Sequence, residues 1–190
     1  MGRPAQRLAT YDDLWSVPEH LTGEILGGEL VTSPRPGPPH GVAQFTLSME
    51  IGGPFQKGRG GPGGWIFVVE PELHLSGDAL VPDLAGWRRE RLPVFPEEAY
   101  FALAPDWVCE VLSPGTARTD RVVKRPIYAA QGVGWLWLVD PDQRTLEVFR
   151  LQEGHWLLEN AWQEADEVSA PPFAELTFSL ADLWVPSAAD

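Results

Sequence analysis

The chain has 190 residues, 44% of them hydrophobic and including nine Trp and eight Phe, enough for one domain with a sizeable core. Fourteen Lys and Arg against 27 Asp and Glu give a net charge of −13, which argues against a high-affinity non-specific DNA binder, because phosphate binding needs a basic face. The lone cysteine, Cys109, excludes an intramolecular disulfide and a Cys-rich zinc site; with no apolar segment after residues 1–7 and no membrane-spanning run, the expectation is a cytoplasmic protein without a membrane partner.

Thr10 with Asp13 three positions on is an N-cap signature and predicts a short helix over 11–16. Residues 21–26 and 29–32 flank Gly27-Gly28 and predict a β-hairpin, followed by a proline-rich loop over 34–39. Residues 40–51 fit two periods: Val42, Phe45 and Met49 make a helical face, while Phe45, Leu47, Met49 and Ile51 alternate. A helix is expected there. The glycine run 58–64 lacks the Gly-Lys-Ser/Thr ending of a phosphate loop and reads as a flexible connection.

Strands are predicted over 65–69, 72–75, 80–87 and 107–112, with Pro71 marking a bend or an edge. Thr119 is the expected cap of a helix running to Gln131, kinked or restarted at Arg125-Pro126 and stopped by Gly132. The apolar run 135–139 reads as a central strand. Turns at 140–143 and at Glu153-Gly154 lead into strands over 146–151 and 155–159, and an apolar stretch over 176–183 ends in a short helix. This order predicts an α/β fold, one mixed β-sheet flanked by α-helices with an N-terminal helix and β-hairpin, residues 1–190 forming a single domain.

One residue of the 107–112 strand breaks its apolar run. Glu110 shares a face with Val108 and Leu112, where an ionised carboxylate is costly unless a cation, a metal or several donors meet it. Asp83 follows Pro82 upstream, and Lys124 lies downstream. An acid, a second acid on a strand and a later lysine are the components of a metal-dependent nuclease.

Each also has a plainer reading. Asp83 fits a turn, Asp120 and Lys124 fit an exposed helical pair, and Glu110 fits an ion pair with Arg118 or Arg121. Arg118, Arg121, Lys124 and Arg125, and separately Arg88, Arg89 and Arg91, read either as a local basic patch for nucleic acid or as solvated faces. The four histidines have no metal-ligand spacing, and His40 reads as an exposed or capping residue rather than a base.

Val81-Pro82-Asp83-Leu84, Val108-Cys109-Glu110-Val111-Leu112-Ser113-Pro114, Asp120 with Lys124, Tyr128-Ala129, Gly132, Trp137-Leu138-Val139-Asp140 and Glu147-Val148 occur in an order that resembles the Uma-type restriction endonuclease family of the PD-(D/E)XK nuclease superfamily. Glu24, Gly28-Glu29-Leu30-Val31, the proline-rich loop and His40 match its N-terminal part. The resemblance implies a restriction-endonuclease-like core in which Asp83 and Glu110 hold a divalent cation, Mg²⁺ or Mn²⁺, with the backbone carbonyl of Val111 or Leu112 as a further ligand.

In the common superfamily pattern a lysine follows the second acid by two positions; here that position is Leu112. The Uma-type pattern takes the lysine from the next helix, which makes Lys124 the residue that orients the attacking water or stabilises phosphate charge. Glu70 is either an additional acid near the metal or, next to Pro71, a solvated edge residue. The activity implied is divalent-metal-dependent hydrolysis of DNA phosphodiesters by a homodimer, with Trp135, Trp137, Trp156 and Trp162 as the apolar surface for pairing. Two alternatives stand beside it: a catalytically inactive nuclease-fold module for interaction or dimerisation, and a nuclease acting on RNA or single strands.

Overall fold

The computed structural model describes residues 7–185; most of the N-terminal stretch considered for a leader lies outside them. A short helix α1 (Tyr11–Leu14) opens where the cap signature placed it, with the Thr10 amide donating to Asp13 Oδ2 at 2.7 Å. Strands β1 (Leu21–Leu26) and β2 (Glu29–Pro34) pair around Gly27 and Gly28. Both glycines have positive φ, 60° and 80°, the backbone that a tight two-residue hairpin requires. Helix α2 (Pro38–Ile51) follows with proline in its first turn and runs into a π-helical turn over Gly52–Gln56.

Strands β3 (Trp65–Val69), β4 (Leu73–Leu75), β5 (Asp78–Leu80), β6 (Leu84–Arg88) and β7 (Trp107–Val111) come next. A helical segment then carries α3 (Ala117–Thr119), a π-helical turn (Asp120–Lys124) and α4 (Arg125–Ala130). Strands β8 (Trp135–Asp140), β9 (Thr145–Gln152), β10 (His155–Gln163), β11 (Glu167–Val168) and β12 (Phe178–Ser179) lead to a 3₁₀ turn at Leu180–Leu183.

The strands form not one sheet but three. Six make a mixed sheet in the order β10-β9-β8-β7-β6-β3, in which only β7 and β8 run parallel. The hairpin joins a separate antiparallel sheet, β2-β1-β5-β4, and β11 pairs with β12. The expected strand over 80–87 is therefore divided between two sheets. Pro82 has no amide to donate; the Val81 amide donates to Glu24 Oε1 at 2.8 Å, and the Asp83 carbonyl accepts from Gln44 Nε2 at 2.9 Å and from the Glu70 amide at 3.0 Å. Side chains and loop backbone thus satisfy the groups that a strand ladder would have used.

The helix after β7 also differs from its expectation. Thr119 does not cap it, since its backbone is already helical; Thr116 sits at the N-cap position. The wider turn ahead of Arg125-Pro126 absorbs the proline that was expected to kink the helix. Gly132, at φ 74°, ends it as predicted.

Alternation along the central strands divides the core in two. Trp107, Cys109 and Val111 of β7 face a layer with Leu47, Ile51, Trp137 and Phe173. Val108 and Leu112 face the opposite layer with Leu80, Trp87, Leu138 and Tyr128. Glu110 therefore points into the second layer, on the face its position in the strand required.

The tryptophans expected to form a pairing surface are used inside the fold. Trp137 is buried and donates to the Pro171 carbonyl, Trp156 donates to that of Arg125, and Trp135 and Trp162 pack against the core. The larger exposed apolar residues include Phe45 and Met49 on α2. Among the described residues, no helix is long and apolar enough to cross a membrane.

Candidate functional site

Where β5 gives way to β6, beside the end of β7, the chain leaves a cleft of about 760 Å³ including its open mouth. Thr22, Thr32 and Arg35 from the hairpin and the strap behind it form one wall, and Ser113, Thr116 and Thr119 form another. Asp83, Glu110 and Lys124 all line it, joined by Glu24, His40, Glu70 and Asp120. The three residues that sequence reasoning singled out are thus brought together from segments far apart in the chain.

Asp83 is held at both oxygens. Its Oδ2 accepts the Val111 amide at 2.6 Å, and its Oδ1 lies 3.0 Å from His40 Nε2. Glu110 Oε1 accepts from the Tyr128 hydroxyl at 2.6 Å, while Oε2 faces the Asp83 amide at 3.4 Å. Lys124 Nζ sits 2.9 Å from Glu24, 3.3 Å from Glu110 and 3.5 Å from Asp120, and donates to the Val81 carbonyl at 3.3 Å. The Asp120–Lys124 pair is accordingly buried, not the exposed helical pair of the plainer reading.

Burial pushes the Glu110 carboxyl well above its usual range; Lys124 opposes this, and Asp120, Asp83 and Glu24 add to it. Asp120 is raised by burial too, against the pull of Lys124 and a hydrogen bond with Thr116. Burial disfavours the Lys124 ammonium, but Glu110, Glu24 and Asp120 outweigh it and leave the lysine more firmly protonated than in water. The Tyr128 hydroxyl is pushed well up by burial and by Glu110.

Two further expectations change. His40 is buried at 6% exposure, neither an exposed residue nor a cap. Arg121 pairs with Glu147 at 2.8 Å and with Asp140 at 3.6 Å rather than with Glu110, and Arg125 lies over the Phe149 ring. In the second basic group Arg91 pairs with Asp106 and Arg88 lies over Trp65. Three of the seven basic residues in the two groups, Arg91, Arg121 and Lys124, are thus paired with carboxylates. Glu70 lines the cleft on an exposed residue with φ 47°.

Sequence reasoning gave Glu24 and Tyr128 no role. Both carried a signal: Glu24 interrupts an apolar strand as Glu110 does, and Asp120, Lys124 and Tyr128 recur every four residues on one helical face.

The donor set is made of oxygen, which suits a hard divalent cation. Besides Glu70, four carboxylates, those of Glu24, Asp83, Glu110 and Asp120, share the cleft with a single lysine, so negative charge is in excess. Among the described residues, no three His, Cys, Asp or Glu side chains make a ready cluster for a metal. Such a site fits a cation held by two carboxylates that keeps several waters, as Mg²⁺ commonly is.

A mixed α/β protein with an acid-and-lysine cleft at the end of a central strand is the class that fold and site define. The sequence pattern of the Uma2 family, described as "Putative restriction endonuclease", matches residues 8–182, and the chain belongs to that family. The crystal structure of a "putative nuclease belonging to DUF820" from Anabaena variabilis ATCC 29413 is similar to it, with a TM-score of 0.73 and 27% identity over 92% of this chain and 97% of that one. No curated protein matches the chain.

Proposed function

We propose that the protein is a divalent-metal-dependent endonuclease that hydrolyses DNA phosphodiester bonds. In this reading residues 1–190 act as one cytoplasmic, restriction-endonuclease-like domain that pairs as a homodimer, so that two sites serve two strands. The observation that carries it is the meeting of Asp83 and Glu110, 27 residues apart, across a 3.4 Å amide contact at the cleft floor with Lys124 3.3 Å from Glu110.

Asp83, Glu110 and the backbone carbonyl of Val111 would hold Mg²⁺ or Mn²⁺. When bound, the cation supplies a water of lowered pKa and neutralises charge on the phosphate. Lys124, kept protonated by its carboxylate neighbours, acts as an electrostatic donor to a phosphate oxygen. Glu24 and Asp120 hold its ammonium at the cleft floor. The hydrogen bonds from His40 and the Val111 amide orient Asp83.

A second reading, an inactive module that retains the fold, is favoured by one fact: Lys124 already has three carboxylate partners. A third, action on RNA or single strands, uses the same cleft and differs from the first in substrate alone.

Calorimetric titration of Mn²⁺ and Mg²⁺ into the wild type and Asp83→Ala tests the metal site. Saturable binding that the variant loses supports it, and equal binding by both proteins removes it. Metal-dependent cleavage of plasmid DNA that disappears in Asp83→Ala excludes the inactive module. Cleavage of RNA or single strands alone selects the third reading.

A further inference from the structure

We propose that the groove between α2 and the edge strand β3 holds the DNA strand as it leaves the cleft, with Lys57 and Arg59 pairing with its phosphates. This rests on the nuclease reading and deepens it by assigning where the substrate lies beyond the scissile phosphate. The cleft itself is poorly suited to hold a polyanion. Carboxylates are in excess there, and a bound cation would offset them only locally. Cations free to meet further phosphates are needed outside it.

The groove measures about 900 Å³ including its open mouth. It continues the cleft: Leu84 and Val69 line the groove, and their chain neighbours Asp83 and Glu70 line the cleft. The Glu70 amide donates to the Asp83 carbonyl at 3.0 Å, which joins the two at the boundary. Helix α2 runs alongside both. Its Gln44 donates to the same carbonyl, and Ser48 and Met49, one turn on, line the groove. Met49 lies about 13 Å along the helix axis from His40 of the cleft at 1.5 Å per residue. The groove thus meets a strand about four steps of ~3.4 Å beyond the cleft.

Its chemistry suits a nucleic-acid strand. Met49 and Val69, each 54% exposed, and the half-buried Phe67 offer apolar surface to sugars and base faces. Exposed Lys57 and Arg59 also line it, and among the described residues no carboxylate does. Neither cation has a carboxylate partner among the described residues. Their backbone is held, the Lys57 and Arg59 amides donating to the Gly52 and Gly53 carbonyls at 3.2 and 3.0 Å. β3 ends the six-stranded sheet, but Gln56 Oε1 already takes its Phe67 amide at 2.8 Å. A second copy of the chain adding a strand there would lack that donor.

The double variant Lys57→Gln/Arg59→Gln is compared with the wild type and with the charge-keeping swap Lys57→Arg/Arg59→Lys. The readouts are KM and kcat on a linear DNA substrate at several salt concentrations, Mn²⁺ affinity by calorimetry without DNA, and mass by sedimentation. The glutamine variant is expected to keep kcat, Mn²⁺ affinity and mass while KM rises about tenfold or more. The log–log dependence of its KM on salt should flatten by about 1.4–1.8, the share of two phosphates, and the swap should behave as the wild type. Unchanged KM and salt dependence in the glutamine variant overturn the role of the groove and leave the nuclease reading intact. A lower mass with unchanged KM also overturns it and gives the groove to a second copy of the chain. A wild type that neither binds Mn²⁺ nor cleaves nucleic acid overturns both.

Discussion

Lys124→Met removes the only lysine of the acidic cleft while keeping the length of the side chain. The Lys124 side chain is 6% exposed, and three carboxylates lie within 3.5 Å of it. Removing one partner of a buried ionic cluster costs about 3–5 kcal/mol, a large part of the roughly 5–15 kcal/mol that holds a domain together. The loss depends on pH. Burial raises the Glu110 and Asp120 carboxyls above their ordinary values, and without the ammonium both rise further.

A carboxyl whose pKa is higher in the folded than in the unfolded protein gains protons on folding. Its stabilising contribution is complete below the unfolded value, near ~4, and is lost as pH rises through the folded value. The deficit of the variant is therefore largest near about pH 8 and shrinks toward about pH 5, by up to ~1.4 kcal/mol per pH unit for each proton involved. Urea unfolding of both proteins across that range measures it. A deficit that does not change with pH, or one below about 1 kcal/mol at the alkaline end, would refute the reasoning.

Tyr128→Phe deletes the 2.6 Å hydrogen bond to buried Glu110 and should cost about 1.5–3 kcal/mol in denaturant unfolding; no change would mean that water replaces the hydroxyl. Glu110→Gln keeps an acceptor for Tyr128 and removes a costly buried charge, so the melting temperature should hold or rise while Mn²⁺ affinity falls roughly tenfold or more. Wild-type affinity in that variant would take Glu110 out of the metal site. Gly86→Ala places a methyl 2.8 Å from the Phe67 ring and 3.2 Å from that of Trp107, and the overpacking should cost about 1–3 kcal/mol in thermal unfolding. An unchanged midpoint would show that the Phe67 ring moves aside.

Local pattern was enough for the elements whose causes are local. The hairpin was legible because two glycines in sequence dictate a tight turn, and the burial of Glu110 was legible because a strand alternates its faces. The two acids and the distant lysine were legible as a set through family resemblance. Spacing alone left them open to plainer readings.

What the chain alone determined, then, is which residues are chemically out of place: Glu110 in an apolar strand, Asp83 after a proline, and Lys124 on the following helix. Only the tertiary structure decided how they are neutralised. Glu24 reaches Lys124 and the Val81 amide from a different sheet, Tyr128 meets Glu110 from the crossover helix, and His40 is buried against Asp83 by a helix of the opposite core layer. Arg121 was a plausible partner for Glu110 by charge, yet the fold gives it to Glu147 and Asp140. Complementary charge is a property of composition, but which charges lie within about 4 Å of each other, where low polarity makes them count, follows from packing between segments distant in sequence.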